Sequence, residues 1–121
     1  MLTVHFEREG EELDALLFEL GEKRTEGRCN FVLREDGDPI GLMQTTVGET
    51  VKIVYFNIVK RAMNRENCEF FFRAMLFKFS LNPVPLEVEG EHPELEKFGF
   101  VYDGKSMKIL SSDIRLSGCH G

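Results

Sequence analysis

Three cysteines are all that the 121 residues contain. Cys29, Cys68 and Cys119 form neither an even set nor a C-x-x-C pair, which excludes a disulfide scaffold and a zinc ribbon and points to a reducing compartment without a metal. Long apolar runs are also missing. No stretch approaches the ~18 residues needed to cross a bilayer, and Met1-Leu2-Thr3-Val4-His5-Phe6-Glu7 has no basic or apolar leader segment, so no membrane association and a cytoplasmic location are expected. Basic charge is in deficit: 15 Lys and Arg against 21 Asp and Glu give a formal charge of -6. That balance repels a polyphosphate backbone and argues against nucleic acid as a partner. Repeats, linkers and low-complexity segments are absent as well. The expectation is a single domain over residues 1–116 with a loose tail at 117–121, in which Cys119 and His120 lack the third ligand and rigid setting of a metal or nucleophile pair.

What is present is apolar surface. With 42% hydrophobic residues, among them 11 Phe, the chain has enough to offset the ordering entropy of one core. Acid is concentrated early, in Glu7, Glu9, Glu11, Glu12, Asp14, Glu19 and Glu22, a solvated face. Between Lys60 and Lys78 the bias reverses, with Lys60, Arg61, Arg65, Arg73 and Lys78 against Glu66 and Glu69.

The periodicities set an order of elements. Leu2, Val4 and Phe6 alternate with polar residues as in a half-buried strand. Leu13, Leu16, Leu17 and Leu20 then recur at helical spacing and Gly21 ends the helix. Cys29, Phe31 and Leu33 give a strand closed by the turn-forming cluster Asp36-Gly37-Asp38-Pro39. A strand from Ile40 to Val47 meets Gly48-Glu49, read as a type II′ hairpin loop. The returning strand, Val51 to Val59, carries Val51, Ile53 and Tyr55 on one face and Val54, Phe56 and Ile58 on the other, so both faces are expected to be covered. Asn57 interrupts it, either to satisfy a neighbouring backbone group or as part of a site. A buried helix from Glu66 to Ser80 follows, with Phe72, Met75, Leu76 and Phe79 inward and Glu69 and Arg73 as an i, i+4 pair. Val84 to Val88 reads as a strand, His92-Pro93 opens a short helix capped by Gly99, and Asp103-Gly104 joins a last hairpin.

This order, β-α-β-β-β-α-β-α-β-β, together with the segment Glu94-Leu95-Glu96-Lys97-Phe98-Gly99-Phe100-Val101-Tyr102-Asp103-Gly104, resembles the GNAT superfamily of acetyl-CoA-dependent N-acetyltransferases, whose members typically carry a Tyr-Glu-Lys-Leu-Gly-Phe run at that place. The likeness implies an α/β (α+β) fold with a mixed, mostly antiparallel sheet of about six to seven strands flanked by helices. It implies acetyl-CoA as cofactor and a small-molecule or peptide amine as acceptor. In that family the sheet splays after the fourth strand, the pantetheine pairs with the exposed strand edge, and the pyrophosphate sits on the amides of the next helix. Carried over, cofactor contacts fall on Ile58, Val59, Arg61, Arg65 and Asn67, and catalytic roles on Tyr55 and Asn57.

Two departures stand beside the resemblance. The family's phosphate loop reads R/Q-x-x-G-x-G/A, because glycine lets the backbone close around phosphate. Residues 61–70 contain no glycine. If Arg61 takes the first place, Asn64 and Glu66 replace the small residues; if Arg65 does, Cys68 and Phe70 do. The family's Tyr, which protonates the leaving thiolate, is replaced by Leu95, leaving Tyr55 and Tyr102 as the only phenols. A rival reading follows: a non-catalytic module that keeps the splayed sheet as a pocket or homodimer surface.

Overall fold

The computed structural model describes residues 1–116; Cys119 and His120 lie outside them. Seven strands form one sheet in the order β1-β2-β3-β4-β5-β7-β6. They are β1 (Leu2–Glu7), β2 (Cys29–Glu35), β3 (Asp38–Thr46), β4 (Val51–Ile58), β5 (Pro85–Glu89), β6 (Val101–Tyr102) and β7 (Ser106–Leu110). Two α-helices, α1 (Glu11–Leu20) and α2 (Arg65–Ser80), and a 3-10 helix over Pro93–Phe98 complete the frame. The mixed, mostly antiparallel sheet and the order of elements are as expected. Only β4 and β5 run parallel, as two strands joined by a crossover helix must when α2 lies between them.

Local chemistry sets the turns, and two differ from the sequence reading. At Asp36-Gly37 both residues take left-handed dihedrals, φ 50° and 87°. That is the demand of a two-residue I′ hairpin, so Glu35 pairs with Asp38 and β3 starts two residues before the expected Ile40. By contrast, Gly48 is not among the positive-φ glycines, and a II′ loop needs one at its first central position. The β3–β4 connection is instead the four residues between Thr46 and Val51. In the last hairpin the Asp103 amide donates to the Ser106 carbonyl at 3.1 Å, which puts Gly104 and Lys105, one residue later than expected, at the centre of the turn.

The two faces of β4 also differ from expectation. Gln44 pairs with Tyr55 and Thr45 with Ile53, so Val54 is an extra residue, a β-bulge. An inserted residue reverses the alternation beyond it. Val51 and Ile53 therefore share a face with Phe56 and Ile58, and Tyr55 and Asn57 turn to the other. Phe56 meets Phe71 of α2 at a ring separation of 5.1 Å, which places α2 on the first face. Arg34, on the opposite face, bonds Glu12 of α1, which places α1 on the second.

Phe71, Met75 and Leu76 of α2 are completely buried, one residue ahead of the expected Phe72 stripe at its start. Burying a side chain such as Phe71 stabilises by roughly 1.5–3 kcal/mol. α2 lies so close to the sheet that a Cβ on Gly41 would come within 3.1 Å of the Phe71 ring and 3.2 Å of Ile58 and Leu33. A second core joins Val51, Leu76, Leu86, Leu95, Phe98, Phe100 and Met107 under the β5–β7 end. Among the described residues no helix is long and apolar enough to cross a membrane.

Candidate functional site

β4 and β5 stay paired for only three residues, Val51 with Leu86, Lys52 with Glu87 and Ile53 with Val88. Beyond the Val54 bulge β4 continues to Ile58 and β5 does not follow it. The strands part, and the wedge opens into a cleft of about 1010 Å³ whose walls include Val54, Tyr55 and Phe56 of β4, Val88 and Glu89 of β5, and Arg65, Cys68 and Phe72 of α2. Phe71 does not fill it, because that ring is buried against Phe56 and Gly41.

The backbone of β4 supplies the first chemistry. The Val59 amide donates to the Ile40 carbonyl at 2.8 Å. Antiparallel pairing alternates, so Tyr55, Asn57 and Val59 turn their backbone groups toward β3, and Phe56 and Ile58 turn theirs toward the wedge. One of these donors is already used: the Ile58 amide donates to Asn57 Oδ1 at 2.9 Å. The other end of that side chain, Nδ2, reaches the Tyr55 hydroxyl at 3.4 Å. Asn57 thus satisfies a neighbouring backbone donor, one of the two readings the sequence left open, and also contacts a phenol that lines the cleft. Ile58 and Val59 have fully buried side chains.

The α2 terminus supplies the second. Asn64 caps the helix, its Oδ1 accepting the Asn67 amide at 2.7 Å. Asn67 is buried and donates from Nδ2 to the Ala62 carbonyl at 2.8 Å, holding the turn that precedes the helix. Arg65 lies on the cleft wall. Arg61 is not part of that wall: it binds Glu19 at 2.7 Å and Asp38 at 2.6 Å. Those hydrogen bonds, Glu19 before Asp38, push its guanidinium further above its ordinary pKa. The structure therefore brings Tyr55, Phe56 and Arg65 to one place, while Asn57, Ile58, Val59, Arg61 and Asn67 do not line it.

Around the rim, Lys97 donates to Glu69 at 2.6 Å, and chiefly this bond holds the Glu69 carboxyl below the usual carboxylate range. Lys97 and Arg73 both stack over the Phe98 ring, at 5.1 and 5.4 Å. Leu95, in the place of the family's phenol, is buried in the wall. Burial pushes the Cys68 thiol up, which keeps it protonated and makes it a poor nucleophile. His92 Nε2 lies 2.8 Å from the Glu89 carbonyl. A carbonyl only accepts, so Nε2 donates there, and Nδ1 lies 3.7 Å from Glu94 Oε1. Among the described residues no group of His, Cys, Asp and Glu is arranged to hold a metal.

Three residues of the cleft had no signal in the one-dimensional pattern. Glu87 accepts from Ser106 Oγ at 3.0 Å across the β5–β7 ladder, and Arg28 donates to Gln44 Oε1 at 2.7 Å. Both contacts depend on strand register. The only available clue was the pair of polar residues, Asn30 and Gln44, inside strands that are otherwise core.

No protein-family model matches the sequence, and no curated protein sequence matches it. Solved structures do. A GNAT family acetyltransferase from Elizabethkingia anophelis with acetyl-CoA bound superposes with a TM-score of 0.64 at 12% identity, over 90% of this chain and 97% of that one. The GNAT family N-acetyltransferase YhbS from Escherichia coli, in complex with CoA, gives 0.64 at 13% identity over 93% and 82%. The ribosomal-protein-S18-alanine N-acetyltransferase from Escherichia coli gives 0.59 at 14% identity over 90% and 90%. At such identities the likeness is one of fold: the chain has the GNAT fold.

Proposed function

We propose that the chain is an acetyl-CoA-dependent N-acetyltransferase acting on a small-molecule or peptide amine. The observation that carries this reading is the parting of β4 from β5 after Ile53, which leaves the backbone of Phe56 unpaired on the wall of an open cleft, with the strand continuing past it to Ile58. An unpaired strand edge is a template for any extended chain of amides, and a pantetheine arm is one. The cofactor would supply the thioester. This chain would hold the arm on the Phe56–Ile58 edge and bring the Arg65 guanidinium to the phosphates. The uncapped amides of the first α2 turn point the same way, and the helix dipole favours an anion there.

The chain's own part in the reaction is mainly positioning, since two reactants fixed in one cleft react as if at very high concentration. Tyr55, oriented by Asn57, is the phenol within the cleft, and we assign it the proton donated to the leaving thiolate. His92, also on the cleft wall, is the residue we assign as acceptor for the amine proton.

A specific observation favours a second reading. The Asn64 cap already holds the Asn67 amide, and no glycine lies between Lys60 and Ser80, so phosphate meets side chains where relatives of this fold would offer bare backbone. The chain would then be a binding module that has lost the cofactor. Isothermal titration with acetyl-CoA separates the two. Micromolar binding, weakened by Arg65→Gln, supports the transferase, whereas an absence of heat at millimolar acetyl-CoA would leave the binding module standing.

A further inference from the structure

The cleft is lined by residues from both faces of the sheet, and each side holds an arginine in a different setting. Arg65 belongs to α2 on one face. On the other face, beside Tyr55, stands Arg28, half-buried at the start of β2. Arg24, Arg34, Arg61 and Arg73 each pair with at least one carboxylate. Arg28 donates instead to a neutral amide, Gln44 Oε1 at 2.7 Å.

That amide is held in place. Gln44 Nε2 donates to Asn30 Oδ1 at 2.8 Å, and Asn30 Nδ2 closes the ring on the Arg28 carbonyl at 3.4 Å. Gln44 is 3% exposed and Asn30 4%. Burying two amides costs free energy that only full hydrogen bonding recovers. Because the Gln44 nitrogen is committed to Asn30, its oxygen can point only at the guanidinium. The result is an arginine with a fixed direction and no neutralising carboxylate among the described residues. One of its five N–H groups is used on Gln44, Arg28 lines the cleft, and a planar guanidinium with donors to spare suits a carboxylate.

We propose that Arg28 binds a carboxylate on the acceptor, which makes the acceptor an amino acid or a similar amine that carries an acid group. The assignment rests on the transferase reading for the word acceptor, but the anion site itself does not. An amine entering from this face, with its carboxylate on Arg28, approaches the wedge from the side opposite Arg65, so acceptor and cofactor phosphates do not compete for the same cation.

The test uses the full chain with side-chain Arg Nε–H resonances observed by NMR. N-acetylglycine, which carries the carboxylate, should shift the Arg28 signal and the Tyr55 ring saturably, and N-methylacetamide, which lacks it, should not. Arg28→Gln, verified as folded by its melting curve, should weaken N-acetylglycine about 10- to 100-fold, the value of a charge-assisted pair. If that variant does not fold, Arg28→Lys keeps the charge without the fork and should still bind more weakly than wild type. Binding unchanged in the variant that folds, an equal response to N-methylacetamide, or the absence of any saturable shift would each overturn the proposal. Inorganic phosphate binding as tightly as N-acetylglycine would overturn the choice of a carboxylate. A parallel titration with acetyl-CoA, read at the Phe56 and Arg65 amides, keeps the two readings apart. Acetyl-CoA binding without N-acetylglycine sinks this inference alone, and the converse sinks the transferase alone.

Discussion

The side-chain oxygen of Asn57 accepts the backbone amide of its own neighbour, Ile58, at 2.9 Å. The bond closes a donor on the strand edge that lines the wedge while the same side chain steadies Tyr55. Asn57→Ala should therefore free the Ile58 amide and loosen the phenol without harming the core. A lone hydrogen bond at a half-buried position is worth about 0.5–1.5 kcal/mol, so the melting midpoint should move little. Amide exchange at Ile58 should accelerate several-fold, and unchanged exchange there would show that Asn57 does not protect it.

Gly41 has a different task. Its missing Cβ makes room for the Phe71 ring at 3.1 Å, and the Leu33 Cβ stands 3.2 Å away on a neighbouring strand that cannot yield. Gly41→Ala adds a methyl group where three packed neighbours meet, and overpacking of that kind costs about 1–3 kcal/mol. A gain of about 0.4–1 kcal/mol from a stiffer unfolded chain offsets part of it. The expected result is net destabilisation of about 1 kcal/mol in urea unfolding, with α2 displaced from the sheet. Stabilisation would mean that the ring shifts freely.

Much of the architecture was legible because it rests on local chemistry. The helical spacing of Leu13, Leu16 and Leu17, the Gly21 stop and the turn at Asp36-Gly37 each act within a few residues, and the structure has them where the pattern put them. What was lost depends on pairing between distant strands. Nothing in Val51 to Ile58 marks Val54 as the inserted residue, because only the β3 register makes it so. That single insertion decides which face of the sheet Tyr55 occupies. Arg61 shows the same dependence: its place in the chain fits a phosphate contact, and the fold pairs it with Glu19 and Asp38, 42 and 23 residues away.

Acid should weaken the last hairpin. The Asp103 carboxylate takes a hydrogen bond from Lys108 at 2.7 Å, then from the Ser106 and Lys105 amides, and in that order these hold its pKa well below the usual carboxylate range. A carboxyl depressed in the folded state contributes stability above its unfolded value, near 3.9, and loses it as pH falls below that value. Asp103→Asn can still accept the two amides but has no proton to gain. Its melting temperature should differ from wild type at pH 7, and the gap should narrow as pH drops below about 4. A gap that persists undiminished at low pH would assign the effect to turn geometry rather than to charge.

The sharpest division concerns Arg61 and Arg65, four residues apart and assigned by the sequence to the same phosphate. Arg65 lines the cleft, whereas Arg61 ties the end of α1 to the start of β3 through Glu19 and Asp38. The two neutral variants should therefore fail differently. Arg65→Gln should weaken acetyl-CoA about 10-fold or more, as expected for one lost charge-assisted contact, and leave the melting curve alone. Arg61→Gln should lower the melting temperature slightly, since exposed ion pairs contribute little, and leave acetyl-CoA affinity within about twofold. The reverse pattern would mean that Arg61 abandons both carboxylates when the cofactor arrives. The phosphate would then sit on the side of the helix where Asn64 and Glu66 stand in the glycine positions, and the Asn64 cap would have to open to receive it.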